Sequence, residues 1–142
     1  MKMLRFRMRY KNTHRSYRDD RPRGRWILLL EKEGEDKVQL RMSCKSDYYG
    51  TDLDVRKTMS EEAMREVQQL IEEKDLFRYN GYEKSDDGKG ASVELLAAYE
   101  DGKELHISVE GSSSLLPEGF DPDIFLDYFI NELNEKEVEK YR

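Results

Sequence analysis

The stretch SVELLAAYEDGKELHISVEG, residues 92–111, decides the fold. Val93, Leu95, Ala97 and Tyr99 recur at every second position, and beyond Asp101-Gly102 the residues Leu105, Ile107 and Val109 do the same. A period of two places each set on one face of a strand. Asp-Gly between two such runs is the turn chemistry of a β-hairpin. Glu94, Glu104, His106 and Glu110 fall on the opposite face, so each strand has one apolar and one polar side.

The same alternation extends outward. Lys2 to Tyr10 turns Leu4, Phe6, Met8 and Tyr10 one way and Arg5, Arg7 and Arg9 the other. A polar connection at about 11–24, with Arg15, Arg18, Arg21 and Arg23, is too long for a tight hairpin and is expected to be mobile. Trp26 to Glu31 is apolar at consecutive positions, which predicts a central strand covered on both faces. Val38, Leu40, Met42 and Cys44 alternate next, and Asp52 to Thr58 offers a shorter strand with Leu53 and Val55 inward. Ser60 is the expected cap of a helix in which Ala63, Met64, Val67, Leu70 and Ile71 share an arc of about 120°. Asn80-Gly81 and Asp86-Asp87-Gly88 mark a loop. Asp121-Pro122 supplies a cap and first-turn proline for a last helix running to about Asn134. The sum is one α+β domain over 1–142, order ββββ-α-ββ-α, with a mostly antiparallel sheet and two helices packed on one face.

The chain has 142 residues, 39% of them charged, with clean apolar periodicity that disordered sequences lack. Its net charge of −6 hides a split: Met1 to Arg25 carries a net +8, Ser46 to Arg142 a net −14. One cysteine, Cys44, excludes an intramolecular disulfide and fits a reducing compartment. The N-terminus alternates apolar and basic residues, unlike a signal peptide, and no apolar run approaches the roughly 20 residues of a membrane span. A cytoplasmic protein with no membrane association is expected.

An amphipathic helix followed by Leu76-Phe77 and Asn80-Gly81, the Asp-Gly hairpin, and Leu116-Pro117-Glu118-Gly119-Phe120 ahead of a helix together resemble a family of small uncharacterised bacterial α+β domains. The resemblance spans roughly residues 38–133. It implies the same fold and a bacterial source, and carries no activity or catalytic residues to transfer.

Chemistry-bearing constellations are sparse. Cys44 lies on the apolar side of its strand with no histidine placed as its base, so it is expected to be structural. His14 and His106 form neither a metal pair nor part of a triad. Ser85 to Gly90 lacks the ligand spacing of an EF-hand and the pattern of a P-loop; a polar turn is the expectation. Asp19-Asp20 and Asp121-Pro122-Asp123 suit a loop and a helix cap better than catalytic carboxylates. No catalytic residue, metal ligand or cofactor is therefore assigned, and an enzyme is the third-ranked reading.

Two surfaces remain. Arg5, Arg7, Arg9, Arg15, Arg18, Arg21 and Arg23 could bind an anionic ligand or nucleic acid through bidentate phosphate contacts. Alternatively, the strand arginines pair with glutamates of the later hairpin. The last helix is apolar over about two-thirds of its circumference, through Ile124, Phe125, Leu126, Tyr128, Phe129, Ile130 and Leu133, more than one sheet covers; either the first helix, the Leu115-Leu116 loop and the sheet enclose it, or a second protein does. Phe125, Tyr128 and Phe129 are the candidate contact residues of a homodimer or protein partner. A non-enzymatic, self-associating interaction domain is the leading expectation, and an arginine-based phosphate or nucleic-acid binder the alternative.

Overall fold

A computed structural model describes residues 2–11, 24–46, 52–89 and 91–132. Arg15, Arg18, Arg21 and Arg23, with most of the expected mobile connection, lie outside the described residues. Strands β1 (Met3–Lys11), β2 (Gly24–Glu33), β3 (Lys37–Ser46) and β4 (Leu53–Ser60) precede helix α1 (Glu62–Glu73) and a 3₁₀ turn at Leu76–Tyr79. Strands β5 (Tyr82–Ser85), β6 (Ala91–Tyr99) and β7 (Glu104–Gly111), a 3₁₀ turn at Ser113–Leu115 and helix α2 (Asp123–Asn131) complete the order. The expected succession holds, with one strand, β5, added ahead of the hairpin.

All seven strands form one sheet in the order β4-β3-β2-β1-β6-β7-β5. Neighbours are antiparallel except β5, which runs parallel to β7 at the edge. Strands β1 to β4 pair with their sequence neighbours; the long-range pairing of β1 with β6 joins that meander to the hairpin. The hairpin turns where expected: the Tyr99 amide donates to the Lys103 carbonyl at 2.9 Å, the Lys103 amide donates to Asp101 Oδ1 at 3.0 Å, and Gly102 takes φ +87°, which favours glycine. Gly24 serves a different need, since a Cβ there would sit 2.1 Å from the Lys45 carbonyl oxygen across the β2–β3 pair.

Register collects the apolar positions on one face. Tyr10 stands opposite Trp26 and Val93, Met8 opposite Leu28 and Leu95, Phe6 opposite Leu30 and Ala97, and the row continues through Met42, Val55 and Ile107. Most of these are buried to within a few per cent, Cys44 among them. Both helices lie on this face. Helix α1 buries Ala63, Met64, Val67 and Ile71, and its Gln68 Oε1 accepts the Met3 amide at 2.9 Å. Helix α2 buries Phe125, Leu126 and Phe129, and its Asp123 carboxylate accepts the Tyr10 hydroxyl at 2.9 Å.

Four local expectations are corrected. A bulge between Met3 and Arg5 brings Met3 into the core and leaves Leu4 half-buried, since the extra residue shifts the alternation. Ser60 ends β4; α1 follows with Glu61 at its boundary, making no side-chain cap, while the Glu61 amide donates to the Asp36 carbonyl. Strand β5 is one the loop signals concealed. It follows a splint made by Asn80, whose side chain donates to the Glu104 carbonyl and accepts the His106 amide, at 3.0 and 2.9 Å. Finally, β2 is not covered on both faces. Trp26, Leu28 and Leu30 are buried, but Leu29 is half-buried and Ile27 is 39% exposed. With both helices on one side, the second face of β2 has no described layer above it.

The start of α2 is close to expectation. Pro122 already has helical angles and Asp121 Oδ1 accepts the Asp123 amide at 3.0 Å, satisfying one of the orphan donors of the first turn. No described helix is long and apolar enough to cross a membrane.

Candidate functional site

The alternate positions of the strands form a broad face on which no described helix packs. Across β4, β3, β2 and β1 this face carries Arg56, Arg41, Lys45, Arg25 and the strand arginines Arg5, Arg7 and Arg9, with Lys11 at the end of β1. Glu31, Glu33 and Asp54 are its carboxylates. Across β6, β7 and β5 the polarity reverses: Glu94, Glu104, Glu110 and Glu83 face outward, and among the described residues of these strands no lysine or arginine shares that side. Ile27 and Leu29 on β2 and Leu96 on β6 supply apolar surface between the charged groups.

The β1–β6 pairing fixes how the two halves meet. Arg9 lies opposite Glu94 and Arg7 opposite Leu96 in register. The Arg7 guanidinium, by leaning along the strand, places Nη2 at 3.2 Å from Glu94 Oε1, and His106 Nε2 lies 4.0 Å from the other carboxylate oxygen. On the basic half, Arg41 Nε lies 3.6 Å from Asp54 Oδ1, a charge contact too long for a hydrogen bond. Arg5, Arg9, Arg25 and Arg56 form no ion pair among the described residues. The expected pairing with the hairpin glutamates is therefore met at one strand arginine, Arg7, while Arg5 and Arg9 stay exposed. Where small Ala98 follows Leu96, a hollow of about 160 Å³ opens, lined by Arg5, Arg7, Leu96, Ala97, Ala98 and Glu104.

The residues expected at a contact occupy other places. Phe125 and Phe129 are fully buried, their ring centroids 5.0 and 6.1 Å from that of Phe6 on β1. They fill the space between α2 and the sheet and have no surface to offer a partner, so their contact role is replaced by a core role. Tyr128 is half-buried between the helices, its hydroxyl 3.5 Å from the Ala63 carbonyl. Burial above all, then a hydrogen bond to Glu66 and the neighbouring carboxylates, push its phenol well above the ordinary value. The broad apolar helix face is thus accounted for by the sheet, α1 and the loop at Leu115 and Leu116. Leu133 lies outside the described residues.

The acidic run after β5 is a turn held by one side chain. Asp86 Oδ1 accepts the amides of Ser112 and Gly88, each at 2.8 Å. These donors, Ser112 foremost, hold the Asp86 carboxyl below its ordinary range. The Leu116–Phe120 segment also serves local packing. The Phe120 amide donates to the Pro117 carbonyl, the Tyr79 hydroxyl donates to the Glu118 carbonyl, and Phe120 enters the core. Among the described residues no group of three or more His, Cys, Asp or Glu side chains is arranged to hold a metal ion.

Sequence reasoning singled out Arg5, Arg7 and Arg9 as a binding surface, and the alternation of β3 already put Arg41 and Lys45 on a polar face; it missed that Arg25, Ile27, Leu29 and Arg56 share that surface. Alternation with the buried residues of β2 and β4 was the available signal; for Ile27 and Leu29 it was hidden by the expectation that an unbroken apolar run is covered on both faces. No protein-family model matches this chain, and no curated protein matches it.

Proposed function

We propose that this chain is a non-enzymatic protein-interaction domain that self-associates through the face of its sheet left uncovered by the described residues. The observation that supports this most is Ile27, 39% exposed on β2 beside half-buried Leu29, with half-buried Leu96 on β6 across the arginines of β1. An apolar pair on β2, with Leu96 beyond β1 and ions around all three, has the mixed composition of a contact surface. Of the aromatic residues expected at a homodimer contact, Phe125 and Phe129 are inside the monomer and Tyr128 is half-buried beside α1, so the contact moves to the opposite side of the sheet. A cytoplasmic location and a bacterial source, the latter implied by the resemblance, belong to the same proposal.

Sedimentation velocity of the unmodified protein up to high micromolar concentration tests it, beside Ile27→Glu, which adds a charge at the apolar pair without touching the core. A dimer that Ile27→Glu dissociates, with circular dichroism unchanged, supports the reading. A monomer at all concentrations rejects self-association.

A second reading, phosphate or nucleic-acid binding, has its own support in Arg5, Arg9, Arg25 and Arg56, which have no ionic partner among the described residues. Phosphate contacts would make binding fall steeply with salt. The described part of this face carries no Phe, Tyr or Trp side chain on which a base could stack, and His106 on the acidic half is its single aromatic ring, which leaves mainly backbone contacts for a single strand. Retention on heparin that fails at low salt removes this reading.

A further inference from the structure

The uncovered face is dipolar along one direction only. Moving across the strands, charge changes from basic on β4 to β1 to acidic on β6, β7 and β5, with the change at the β1–β6 boundary. Along the strands there is no comparable gradient: on β1 alone, Arg5, Arg7, Arg9 and Lys11 run from one end to the other.

We infer that the occupant of this face is a second copy of the chain, docked about a two-fold axis that runs parallel to the strands at the β1–β6 boundary. The inference rests on the interaction reading above and adds the geometry. Two identical sheets can meet face to face with aligned strands about an in-plane two-fold axis in two ways. An axis across the strands lays each half on its own kind, basic on basic and acidic on acidic. An axis along the strands lays each basic half over the partner's acidic half. Like-charge juxtaposition in an interface costs several kcal/mol, so the charge pattern selects the second arrangement. The contact is isologous and closed, as expected of a homodimer.

The register names the matches. Arg9 and Glu94 are opposite one another on the two strands flanking the axis, so the rotation carries Arg9 over the partner's Glu94. Arg25, Lys11, Ser92 and Glu110 form one row across β2, β1, β6 and β7, so Arg25 comes over the partner's Glu110. The same rotation brings Leu96 over the aliphatic stem of the partner's Arg7, Leu29 over the partner's His106 and Ile27 over the partner's Ser108, which withdraws the three aliphatic side chains from water. One match is unfavourable: Glu31 and Glu104 share the end row, at the rim, where solvent screens them and the roughly 30° crossing of aligned sheets separates rows away from the axis. The six strands that overlap about this axis, β4 extending past the partner's edge and β5 being short, present on the order of 700 Å² per copy at the usual strand rise and spacing. That is close to the ~800 Å² per partner of a stable interface.

A charge-swap pair tests the arrangement by sedimentation velocity. The first variant carries Arg9→Glu with Arg25→Glu, the second Glu94→Lys with Glu110→Lys. Each variant alone is expected to raise the dimer dissociation constant at least about 100-fold, and an equimolar mixture to restore a heterodimer of near wild-type affinity. The second variant is also expected to be retained more strongly on heparin while it loses self-association. These positions lie outside the core, so denaturation midpoints near wild type verify folding; should Glu94→Lys disturb Arg7, the single pair Arg25→Glu and Glu110→Lys carries the same contrast. A wild-type dimer that Ile27→Glu dissociates but the swaps leave intact overturns the two-fold arrangement and leaves the interaction reading standing. Swapped variants that stay monomeric when mixed also overturn it. A wild-type monomer overturns both.

Discussion

Residues 27 and 28 are neighbours in β2, both large aliphatics, and they live in different solvents. Leu28 is fully buried between Met8 and Met42 under the helices, whereas Ile27, between Arg9 and Ser43, is 39% exposed. The two faces of this sheet differ in the same way throughout: one is a close-packed layer of Trp26, Phe6, Leu40 and Phe129, the other a plane of arginines and glutamates with aliphatic side chains among them. A strand apolar on both sides does not require a three-layer domain. The second apolar side here has no described layer above it, and under the proposed self-association stability and interaction fall on opposite faces of one sheet.

The largest test of that division is a pair of truncations. Leu28→Ala removes packing from the covered face and should lower the free energy of unfolding by about 2–5 kcal/mol. Ile27→Ala on monomeric protein should cost less than about 1 kcal/mol, since its side chain keeps much of its contact with water in the folded state. Equal losses in urea denaturation would break the comparison. Because Cys44 belongs to the covered face, its thiol should label only when the domain unfolds.

A smaller effect separates the faces by pH. Burial first, then the Glu72 carboxylate, push the Tyr99 phenol from 10 up to about 12. The folded protein therefore keeps a proton that the unfolded chain releases. This stabilisation is fully present below pH 10 and is lost as pH rises toward 12. With allowance for partial solvent screening it amounts to about 1–2 kcal/mol. Tyr99→Phe should make stability less steep over that window, while substitutions at exposed Arg5 or Arg9 should leave the window unchanged. The Tyr99 hydroxyl is buried with no hydrogen-bond partner among the described residues, so at neutral pH the loss of the oxygen should be nearly neutral.

The smallest expected effect lies on the uncovered face itself. A double-mutant cycle on Arg7 and Glu94, using alanine at each, should yield a coupling of about 0.2–1 kcal/mol that falls with added salt. Both side chains are partly exposed, at 28% and 37%. A coupling of several kcal/mol would mean that this face is shielded from water in the monomer.

What the sequence determined by itself was the set of positions that belong together. Period-two runs in β1, β3, β6 and β7 and the single stripe of α1 named most of the core, because side-chain direction is a local property of backbone geometry. Asp101-Gly102 specified its turn for the same reason. The tertiary structure decided the rest. Whether Phe125 and Phe129 meet a partner or Phe6 depends on where α2 lands across a strand more than a hundred residues away. Whether Ile27 is covered depends on which side the helices occupy, and alternation is symmetric between the two sides. Strand β5 was invisible because YEKS has almost no apolar signal; backbone hydrogen bonds to β7, guided by Asn80, hold it. The dipolar surface appeared only when the pairing of β1 with β6 set the arginines of the N-terminal meander beside the glutamates of the hairpin, a juxtaposition made by long-range register and encoded in no local pattern.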